Sequence, residues 1–357
     1  QEWWSQNVFV ADDHGDVDPA RHPPVRGTYQ GVHATGPFWS MVGGRRFSTE
    51  SDAEVRIRVA DKNGVLAERR MKWLSPRSHP GVTREQIRRQ GLVADLYLPA
   101  DPSGPAPAIV VVGGSGGGFN SERASLLATH GYAALDVAYH GVEGTPRYFI
   151  ETLPIESFMR AIDLLQEDSR IDASRLAVMG KSYGAQLALL WASFDPRIGL
   201  VIAEAPSAYV TGTPASYPFG PVASAWSYAG RALPFRPSGE VSGEVSGAID
   251  EEAVIPAERI QGPVLLLTGQ ADGLWESTPM ATRLMRRLKV HQFGHAMSHF
   301  QYPEAGHNLG GGEQAYGVPN LPPKERGSSS GGTREGNSAA GVAAWAEALA
   351  FLRSHFE

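Results

Sequence analysis

The sequence predicts an α/β protein in which a mostly parallel, doubly wound sheet follows a smaller β-rich region. From about residue 84 onwards, short apolar runs alternate with longer helical patterns, which is typical of a parallel sheet with crossover helices. Before residue 80, charged and apolar residues alternate along Glu54–Val59, and an extended pattern resumes at Leu66–Leu74 after a turn at Asp61–Gly64. At 357 residues, the chain is long enough for one large domain with an appendage or for two domains. We therefore predict domains at residues 1–80 and 81–357.

The elements of the larger domain follow from its apolar patterns. Buried runs rich in Val, Leu, Ile and Ala predict the strands Val93–Leu98, Ala108–Val112, Ala133–Ala138, Leu176–Met179, Leu200–Ala203, Val264–Thr268 and His299–Tyr302. Helical spacing predicts the helices Ser121–His130, Glu156–Glu167, Ser182–Phe194, Ser277–Leu288 and Ala340–His355. In the smaller domain we expect a partial Ig-like sandwich whose opening strands are absent from the chain, since a free-standing sandwich usually has about seven strands.

Two stretches lack this regularity. Residues 206–262 are rich in Pro, Gly and Ser, carry the tandem Gly239–Gly247, and hold the aromatic residues Tyr209, Tyr217, Phe219, Trp226, Tyr228 and Phe235. A loop of this length is usually functional or disordered, and its position favours a lid that shapes an apolar pocket. A mobile surface excursion anchored by its aromatic residues is the alternative. Residues 324–338 are predicted to form a flexible loop.

Composition narrows the classes of function. The formal net charge of −6 argues against a nucleic-acid partner, which would need a clustered basic surface. A cluster of Arg283, Arg286, Arg287 and Lys289 favours a solvated helix face, with a site for a phosphate-bearing ligand such as coenzyme A as the alternative. Because the chain has no Cys, it has no disulfides or thiolate metal sites, and any nucleophile must be Ser or Thr.

Location and assembly are less constrained. No apolar run approaches the roughly 18 residues that suggest a membrane span. The chain begins at Gln1 without a charged-then-apolar leader, so we expect a cytoplasmic location and leave a secreted mature form open. We expect no metal or redox cofactor, and the oligomeric state does not follow from the sequence.

The pattern Gly-x-Ser-x-Gly occurs around Ser115, Ser182 and Ser329, so context must select a nucleophile. Ser182 follows a predicted strand and opens a predicted helix, which is the strand-turn-helix of a nucleophile elbow. Its neighbours Gly180 and Gly184 suit a turn too tight for side chains. Ser329 has no strand before it and no helix after it, and we interpret it as part of a linker. We therefore predict Ser182 as the nucleophile.

The Gly-rich segment after an earlier strand predicts an oxyanion loop. Ser115 is followed by Gly116–Gly118, and no helix is expected before about Ser121. In this arrangement the backbone N–H of Ser115 or Gly116, together with that of Tyr183 after the nucleophile, would bind the developing negative charge. A glycine turn used for packing or phosphate binding is the alternative. A dinucleotide-binding fingerprint is excluded because Gly114–Gly118 lacks its register.

The acid and the base are predicted from the loops after the last strands. Asp272 lies three residues beyond the strand Val264–Thr268, and Glu204, at the end of another strand, is its rival. Among 11 histidines, His307 follows the last predicted strand in a Gly-containing loop, where the third member of a triad belongs. Ser182, Asp272 and His307 thus occur in the order nucleophile, acid, histidine, which an α/β-hydrolase sheet imposes.

A metal site is a competing interpretation of other histidines. His291, His295 and His299 follow one another at intervals of four residues, a spacing that places metal ligands on one face of a helix. Gly294 and the extended pattern after it argue against one helix face, and we do not expect a metal there.

Further motifs extend along nearly the whole chain: Gly15–Asp18, Gly27–Val32, Phe38–Met41, Gly116–Gly118, Arg123–Leu127, Ile255–Arg259, Gly269–Asp272 and Tyr302–His307. Through them, the chain resembles the family of acyl-CoA thioesterases and bile acid-CoA:amino acid N-acyltransferases. The resemblance implies an N-terminal β-sandwich on an α/β-hydrolase domain, and activity on acyl thioesters through a Ser or Cys nucleophile. Ser182, Asp272 and His307 fall on the family's triad positions. Tyr183 stands where members of the family often carry Lys or Leu, a departure that bears on the chemistry of the pocket entrance. Cys nucleophiles go with amino-acid conjugation and Ser nucleophiles mostly with hydrolysis, so Ser182 favours hydrolysis.

We therefore expect a serine hydrolase of small-molecule acyl thioesters, linked to coenzyme A or a carrier protein, that acts through an acyl-enzyme. One alternative is acyl transfer to an amine or alcohol. A carboxylesterase or peptidase on the same scaffold is another, since fold alone does not determine substrate. A binding protein with a decayed hydrolase fold is the non-enzymatic alternative.

Overall fold

A computed structural model describes residues 3–43, 52–74, 79–89, 91–100, 103–146, 150–214, 223–237, 251–309 and 330–356. Its strands are β1 (Trp3–Trp4), β2 (Asn7–Val8), β3 (Arg26–Gly27), β4 (Val42–Gly43), β5 (Ala53–Asp61), β6 (Gly64–Trp73), β7 (Thr83–Arg89), β8 (Leu92–Leu98), β9 (Ala106–Val112), β10 (Ala133–Ala138), β11 (Leu153–Pro154), β12 (Ile171–Lys181), β13 (Leu200–Glu204), β14 (Trp226–Tyr228), β15 (Arg231–Ala232), β16 (Val264–Gly269) and β17 (Met297–Tyr302). Its helices are α1 (Gly36–Trp39), α2 (Ser121–Thr129), α3 (Glu156–Glu167), α4 (Tyr183–Phe194), α5 (Ser277–Val290) and α6 (Arg334–Phe356).

The centre of the molecule is an eight-stranded sheet in the order β17-β16-β13-β12-β9-β10-β8-β7. The strands from β17 to β10 run parallel, and β8 and β7 join antiparallel at the other edge. Strand order reverses around β9, which lies between β10 and β12. In open α/β sheets, such a reversal opens a crevice at the carboxyl ends of the strands, where ligands bind.

Helices cover both faces of this sheet, which explains why its strands are apolar on both sides. All residues of β10, β13 and β16 are buried. Helix α4 is also buried almost all round, from Tyr183 to Ser193, because the segment after β13 folds over its outer side. Tyr209 and Trp226 of that segment are buried at 2% and 0% exposure, so its described part is a packed cover. Tyr217, Phe219 and Gly239–Gly247 lie outside the described residues.

The N-terminal region forms small antiparallel sheets. β1 pairs with β4, β2 pairs with β3, and β5 and β6 make a longer hairpin around the predicted turn at Asp61–Gly64. Helix α1 packs near the start of α6, which brings this region to the larger one.

The predicted strands and helices of the larger region are confirmed, with ends displaced by a few residues. The expected flexible loop at 324–338 is wrong from residue 330 onwards: helix α6 begins at Arg334, not at Ala340, and the residues before it pair with two other loops. Ser329 itself lies outside the described residues. Among the helices of the described ranges, none is both long and apolar enough to cross a membrane.

Candidate active site

Ser182 sits in a strained turn between β12 and α4. Its backbone has φ 58° and ψ −122°, a conformation that residues other than glycine rarely adopt. Two backbone hydrogen bonds hold it there: the Ser182 N–H donates to Glu204 O at 2.9 Å, and the Gln186 N–H donates to Ser182 O at 3.0 Å. Strain of this kind persists at functional sites, where the surrounding structure enforces it.

The two glycines that flank Ser182 are required by close packing of the backbone. A Cβ at Gly180 would lie 2.1 Å from Gly184 O, and a Cβ at Gly184 would lie 2.2 Å from Gly113 O. The sequence-based reason for both glycines is therefore confirmed in the structure. The second contact also shows that the elbow packs directly against the end of β9.

Strand register brings the predicted oxyanion loop beside Ser182. Gly180 of β12 pairs with Val112 of β9, so the residues that follow both strands meet. A Cβ at Gly114 would be 3.3 Å from Ser182 Cβ and 3.8 Å from Ser182 Oγ. Gly114 therefore lines the space around the hydroxyl, and only a residue without a side chain leaves that space open.

Tyr139 and His140, just after β10, hold the carbonyl groups of this loop. The Tyr139 hydroxyl donates to Gly113 O at 2.8 Å and also contacts Gly114 O. His140 Nε2 lies 2.6 Å from Ser115 O. Since a carbonyl oxygen only accepts, Nε2 carries the proton, and burial lowers the pKa of His140 and favours the neutral ring.

These contacts orient the N–H groups of the loop. In a trans peptide, the N–H points opposite to the C=O of the same unit. Because Gly114 O and Ser115 O face Tyr139 and His140, the N–H groups of Ser115 and Gly116 point away from those side chains. That the N–H of Ser115 or Gly116, together with the N–H of Tyr183 at the start of α4, binds an oxyanion stays a prediction.

The structure joins two more predicted residues by a direct hydrogen bond. Asp272 Oδ2 and Oδ1 lie 2.9 Å and 3.1 Å from His307 Nδ1, and both side chains are almost fully buried. Asp272 also accepts hydrogen bonds from the Leu274 and Trp275 N–H groups and from the Ser277 hydroxyl. In the neutral tautomer that carries its proton on Nδ1, the other ring nitrogen of His307 can accept a proton, as a general base does.

Trp275 connects the two halves of the site. Its ring centroid is 5.6 Å from that of Tyr183 and 5.3 Å from that of His307, and its Nε1–H donates to Ala205 O at 3.1 Å. Among the described residues, Ser182 Oγ makes no hydrogen bond with His307. Such catalytic contacts are often long in unliganded enzymes and tighten when substrate binds.

Glu204, the rival acid, has a different partner. Its carboxylate accepts a hydrogen bond from Arg123 Nη2 at 2.8 Å, and both side chains are 6% exposed. Arg123 belongs to α2, the helix after the predicted oxyanion loop, while Glu204 O accepts a hydrogen bond from the Ser182 N–H. The buried ion pair therefore links α2 to the elbow.

The segment after β13 is fastened to α4 close to the nucleophile. The Tyr183 hydroxyl donates to Gly212 O at 2.8 Å. Gln186 donates to Thr211 Oγ1 at 2.8 Å and accepts from Trp226 Nε1 at 2.5 Å. The side chain of Tyr183 is thus used to anchor the cover.

A cavity of about 260 Å³ lies under the same segment, with Leu190, Phe194, Val210, Val254 and Arg287 in its wall. Leu190 and Phe194 are about 12–18 Å along α4 from Ser182, at 1.5 Å per residue. The cavity is therefore separate from the elbow.

Two of the four basic residues on α5 pair with acids of the covering segment, and the other two, Arg286 and Lys289, are exposed. Arg287 binds Glu258 at 2.5 and 2.7 Å, and Arg283 lies 3.3 Å from Glu251 and over the ring of Tyr209. His299 bonds Thr268 Oγ1 at 2.8 Å.

Sequence reasoning missed Tyr139, His140 and the residues Ser330–Thr333. Gly331 bridges to Asp272 and Gly332 bridges to Ala305, so this short segment contacts both loops that carry the Asp–His pair. The sequence does contain one signal for the start of α6, because Thr is a common N-cap residue. In the structure, Thr333 Oγ1 accepts the Gly336 N–H at 2.9 Å, as an N-cap residue does. The Gly-rich run beside Thr333 is also typical of a linker, so the sequence alone does not identify this helix start.

Comparison with known proteins adds to this geometry. The family model described as BAAT / Acyl-CoA thioester hydrolase C terminal matches residues 153–357, and the model for the Acyl-CoA thioester hydrolase/BAAT N-terminal region matches residues 1–89. Relatives include acyl-coenzyme A thioesterase 1 of Mus musculus, 30% identical over 84% of this chain and 74% of the relative. The peroxisomal succinyl-coenzyme A thioesterase of Mus musculus is 27% identical over 97% of this chain and 85% of the relative.

A solved structure supports the fold alone. A puromycin-hydrolyzing peptidase of Mycobacterium tuberculosis has a TM-score of 0.51 at 17% identity, covering 77% of this chain and 39% of that chain. With the sheet order given above, this establishes an α/β-hydrolase fold with small N-terminal antiparallel sheets.

Proposed function

Because the chain belongs to the acyl-CoA thioester hydrolase/BAAT family, we propose that it hydrolyses acyl thioesters of coenzyme A or a carrier protein, with Ser182 as its nucleophile. One observation carries the choice of nucleophile: Ser182 holds φ 58° between two glycines that cannot bear a side chain. A serine forced into that conformation beside a Gly-rich loop suits nucleophilic attack and has no evident structural purpose.

Acylation begins when Ser182 Oγ attacks the thioester carbonyl carbon. A new C–O bond forms, the carbonyl electrons move to oxygen, and His307 Nε2 takes the hydroxyl proton, because a serine hydroxyl is a weak nucleophile without a base. Asp272, bound to Nδ1 at 2.9 Å, keeps the ring in the required tautomer and stabilises its charged form. The oxyanion is held by the N–H groups of Tyr183 and the Ser115/Gly116 segment, each donor contributing about 3 kcal/mol.

Collapse of this intermediate breaks the C–S bond, and the departing thiolate takes the proton from His307. Water then attacks the acyl-enzyme while His307 again accepts a proton, and the carboxylic acid product leaves as Ser182 recovers its hydroxyl hydrogen. The sequence of steps needs no metal or redox cofactor. An amine or alcohol in place of water would give acyl transfer, the alternative that the family name includes.

The choice between hydrolysis and transfer depends on the acceptor. The resemblance associates serine with hydrolysis, which favours water. The cytoplasmic location stays a prediction, since related enzymes are named as mitochondrial and peroxisomal.

The test is thiol release from short-, medium- and long-chain acyl-CoAs and from an acyl-pantetheine. We expect release that Ser182→Ala abolishes and that Ser354→Ala, on the exposed last turn of α6, leaves unchanged. Amide or ester products upon addition of amines or alcohols would replace hydrolysis with transfer. Absence of release from protein that a fluorophosphonate still labels would refute the thioester proposal and move the expected substrate to oxygen esters or amides.

A further inference from the structure

The segment Ser330–Thr333, here called the strap, lies between the loop of Asp272 and the loop of His307. Gly331 forms an antiparallel bridge with Asp272, and Gly332 forms one with Ala305. The carbonyl oxygen of Ser330 accepts two hydrogen bonds, from the His307 N–H at 2.7 Å and from the Gly273 N–H at 3.2 Å. One carbonyl group therefore fixes the backbone of the histidine relative to the backbone of the acid loop.

The fit of the strap leaves no room for a side chain at either of its two glycines. Gly331 and Gly332 both have φ +73°, in the left-handed region that favours glycine. A Cβ on Gly331 would lie 2.0 Å from Ala271 O, and one on Gly332 would lie 2.3 Å from Gly306 N. These neighbours are backbone atoms of the acid and histidine loops, so a side chain on the strap would displace the loops themselves.

The end of the strap is fastened to the N-terminal region. Arg334, the next residue, donates through Nη2 to Trp39 O at 2.7 Å and to Met41 O at 2.8 Å. Glu335 lies 2.8 Å from His33 Nε2. The N-terminal residues around α1 thus contact the strap's anchor directly, although they lie far along the chain from Asp272 and His307.

We propose that the strap is a positioning element that sets the geometry of the Asp272–His307 pair, and that the N-terminal region holds it in place through Arg334. This inference rests on the proposed function, in which His307 is the base. It makes the N-terminal region a contributor to the rate of the chemical step without contact with the substrate. Arg334 and the two glycines act through His307 and are positioning residues.

The first comparison uses glycine substitutions matched for backbone strain. Gly131 has φ +89° and no atom within 4 Å of a Cβ placed on it, so Gly131→Ala carries the conformational cost without the collision. Gly331→Ala and Gly332→Ala carry both. We expect each strap variant to lower kcat for thiol release at least tenfold with KM nearly unchanged, whereas Gly131→Ala changes neither.

The pH profile separates positioning from a general loss of folded protein. An imidazole that loses contact with its carboxylate binds a proton less readily, so the acid limb of kcat/KM should move to lower pH in the strap variants. A smaller folded fraction lowers the rate at every pH and leaves the limb in place. Strap variants that keep the wild-type kcat, or lose rate with an unmoved limb, would overturn the proposal.

If the glycine variants do not fold, a milder pair of variants at Arg334 tests the same proposal. Arg334→Met removes the donors to Trp39 O and Met41 O, and Arg334→Lys restores a donor; Arg353→Met, on the exposed last turn of α6, is the control. We expect a severalfold loss of kcat with a displaced acid limb for Arg334→Met, partial recovery for Arg334→Lys and no change for the control. Equal behaviour of Arg334→Met and Arg353→Met would refute the N-terminal anchor.

The rate of fluorophosphonate labelling of Ser182 serves as a second readout because it requires no thioester. If the wild-type protein releases no thiol, the proposed substrate class is wrong, and the same variants are compared by labelling rate and its acid limb. Slower labelling in the strap variants would then support the positioning role independently. Wild-type labelling by Gly331→Ala and Gly332→Ala would refute it.

Discussion

The buried ion pair between Arg123 and Glu204 permits a quantitative prediction. Its atoms are 2.8 Å apart and both side chains are 6% exposed. Arg123→Met would leave the Glu204 carboxylate buried without its partner, and breaking a buried pair from one side typically costs about 3–5 kcal/mol. We therefore expect Arg123→Met to lower the free energy of unfolding by about 3–5 kcal/mol, a large part of the roughly 5–15 kcal/mol that stabilises a typical native protein.

Two comparisons isolate the effect of burial. Arg58 and Glu68 are 2.9 Å apart but 52% and 28% exposed, so Arg58→Met should cost at most about 1 kcal/mol. The double variant Arg123→Met/Glu204→Leu removes both buried charges and should recover most of the loss, since well-packed apolar replacements of buried pairs are often neutral. Urea unfolding at pH 7 measures all three. The reasoning fails if Arg123→Met costs no more than Arg58→Met, or if the double variant is less stable than the single one.

Three further predictions follow from the site and its surroundings. Tyr139→Phe removes the hydroxyl that contacts Gly113 O and Gly114 O and so orients the proposed oxyanion loop. Because losing one oxyanion donor costs about a hundredfold or more in kcat, we expect a loss of up to about a hundredfold with KM nearly unchanged. A wild-type kcat would contradict this prediction. Burial raises the pKa of Asp136 to about 8 from 3.8, so the stability of the wild type should fall as pH rises from about 4 to 8. Asp136→Asn, which does not titrate, should match the wild-type Tm below about pH 4 and exceed it increasingly up to pH 8.5. Gly184→Ala places a Cβ 2.2 Å from Gly113 O and should abolish Ser182 labelling, whereas Gly64→Ala, with nothing within 4 Å, should not.

Much of the site could be predicted from the sequence because each part follows a strand. Parallel strands end at one edge of the sheet, so the loops after β9, β12, β16 and β17 had to lie near one another. The registers make this specific: Gly180 pairs with Val112, and Gly269 pairs with Tyr302. The glycines flanking Ser182 were predictable because their spacing reflects a local turn.

Contacts between distant parts of the chain could not be predicted in this way. Glu204 stands at a strand end as Asp272 does, and only the structure shows that Glu204 contacts Arg123, 81 residues away, whereas Asp272 contacts His307. The composition of the strap predicts a flexible loop, because Ser and Gly suit flexible segments. The same glycines are needed where backbones pack at van der Waals contact, and only the neighbouring loops distinguish the two cases.

The central claim is a covalent acyl-enzyme on Ser182. The most direct measurement mixes the protein with an acyl-CoA, quenches in acid within milliseconds to seconds, and maps the added mass to a peptide. The account predicts a transient increase equal to the acyl group, confined to the peptide that contains Ser182 and absent from Ser182→Ala. Thiol release at the full rate without any adduct, or an adduct on another residue, would contradict it.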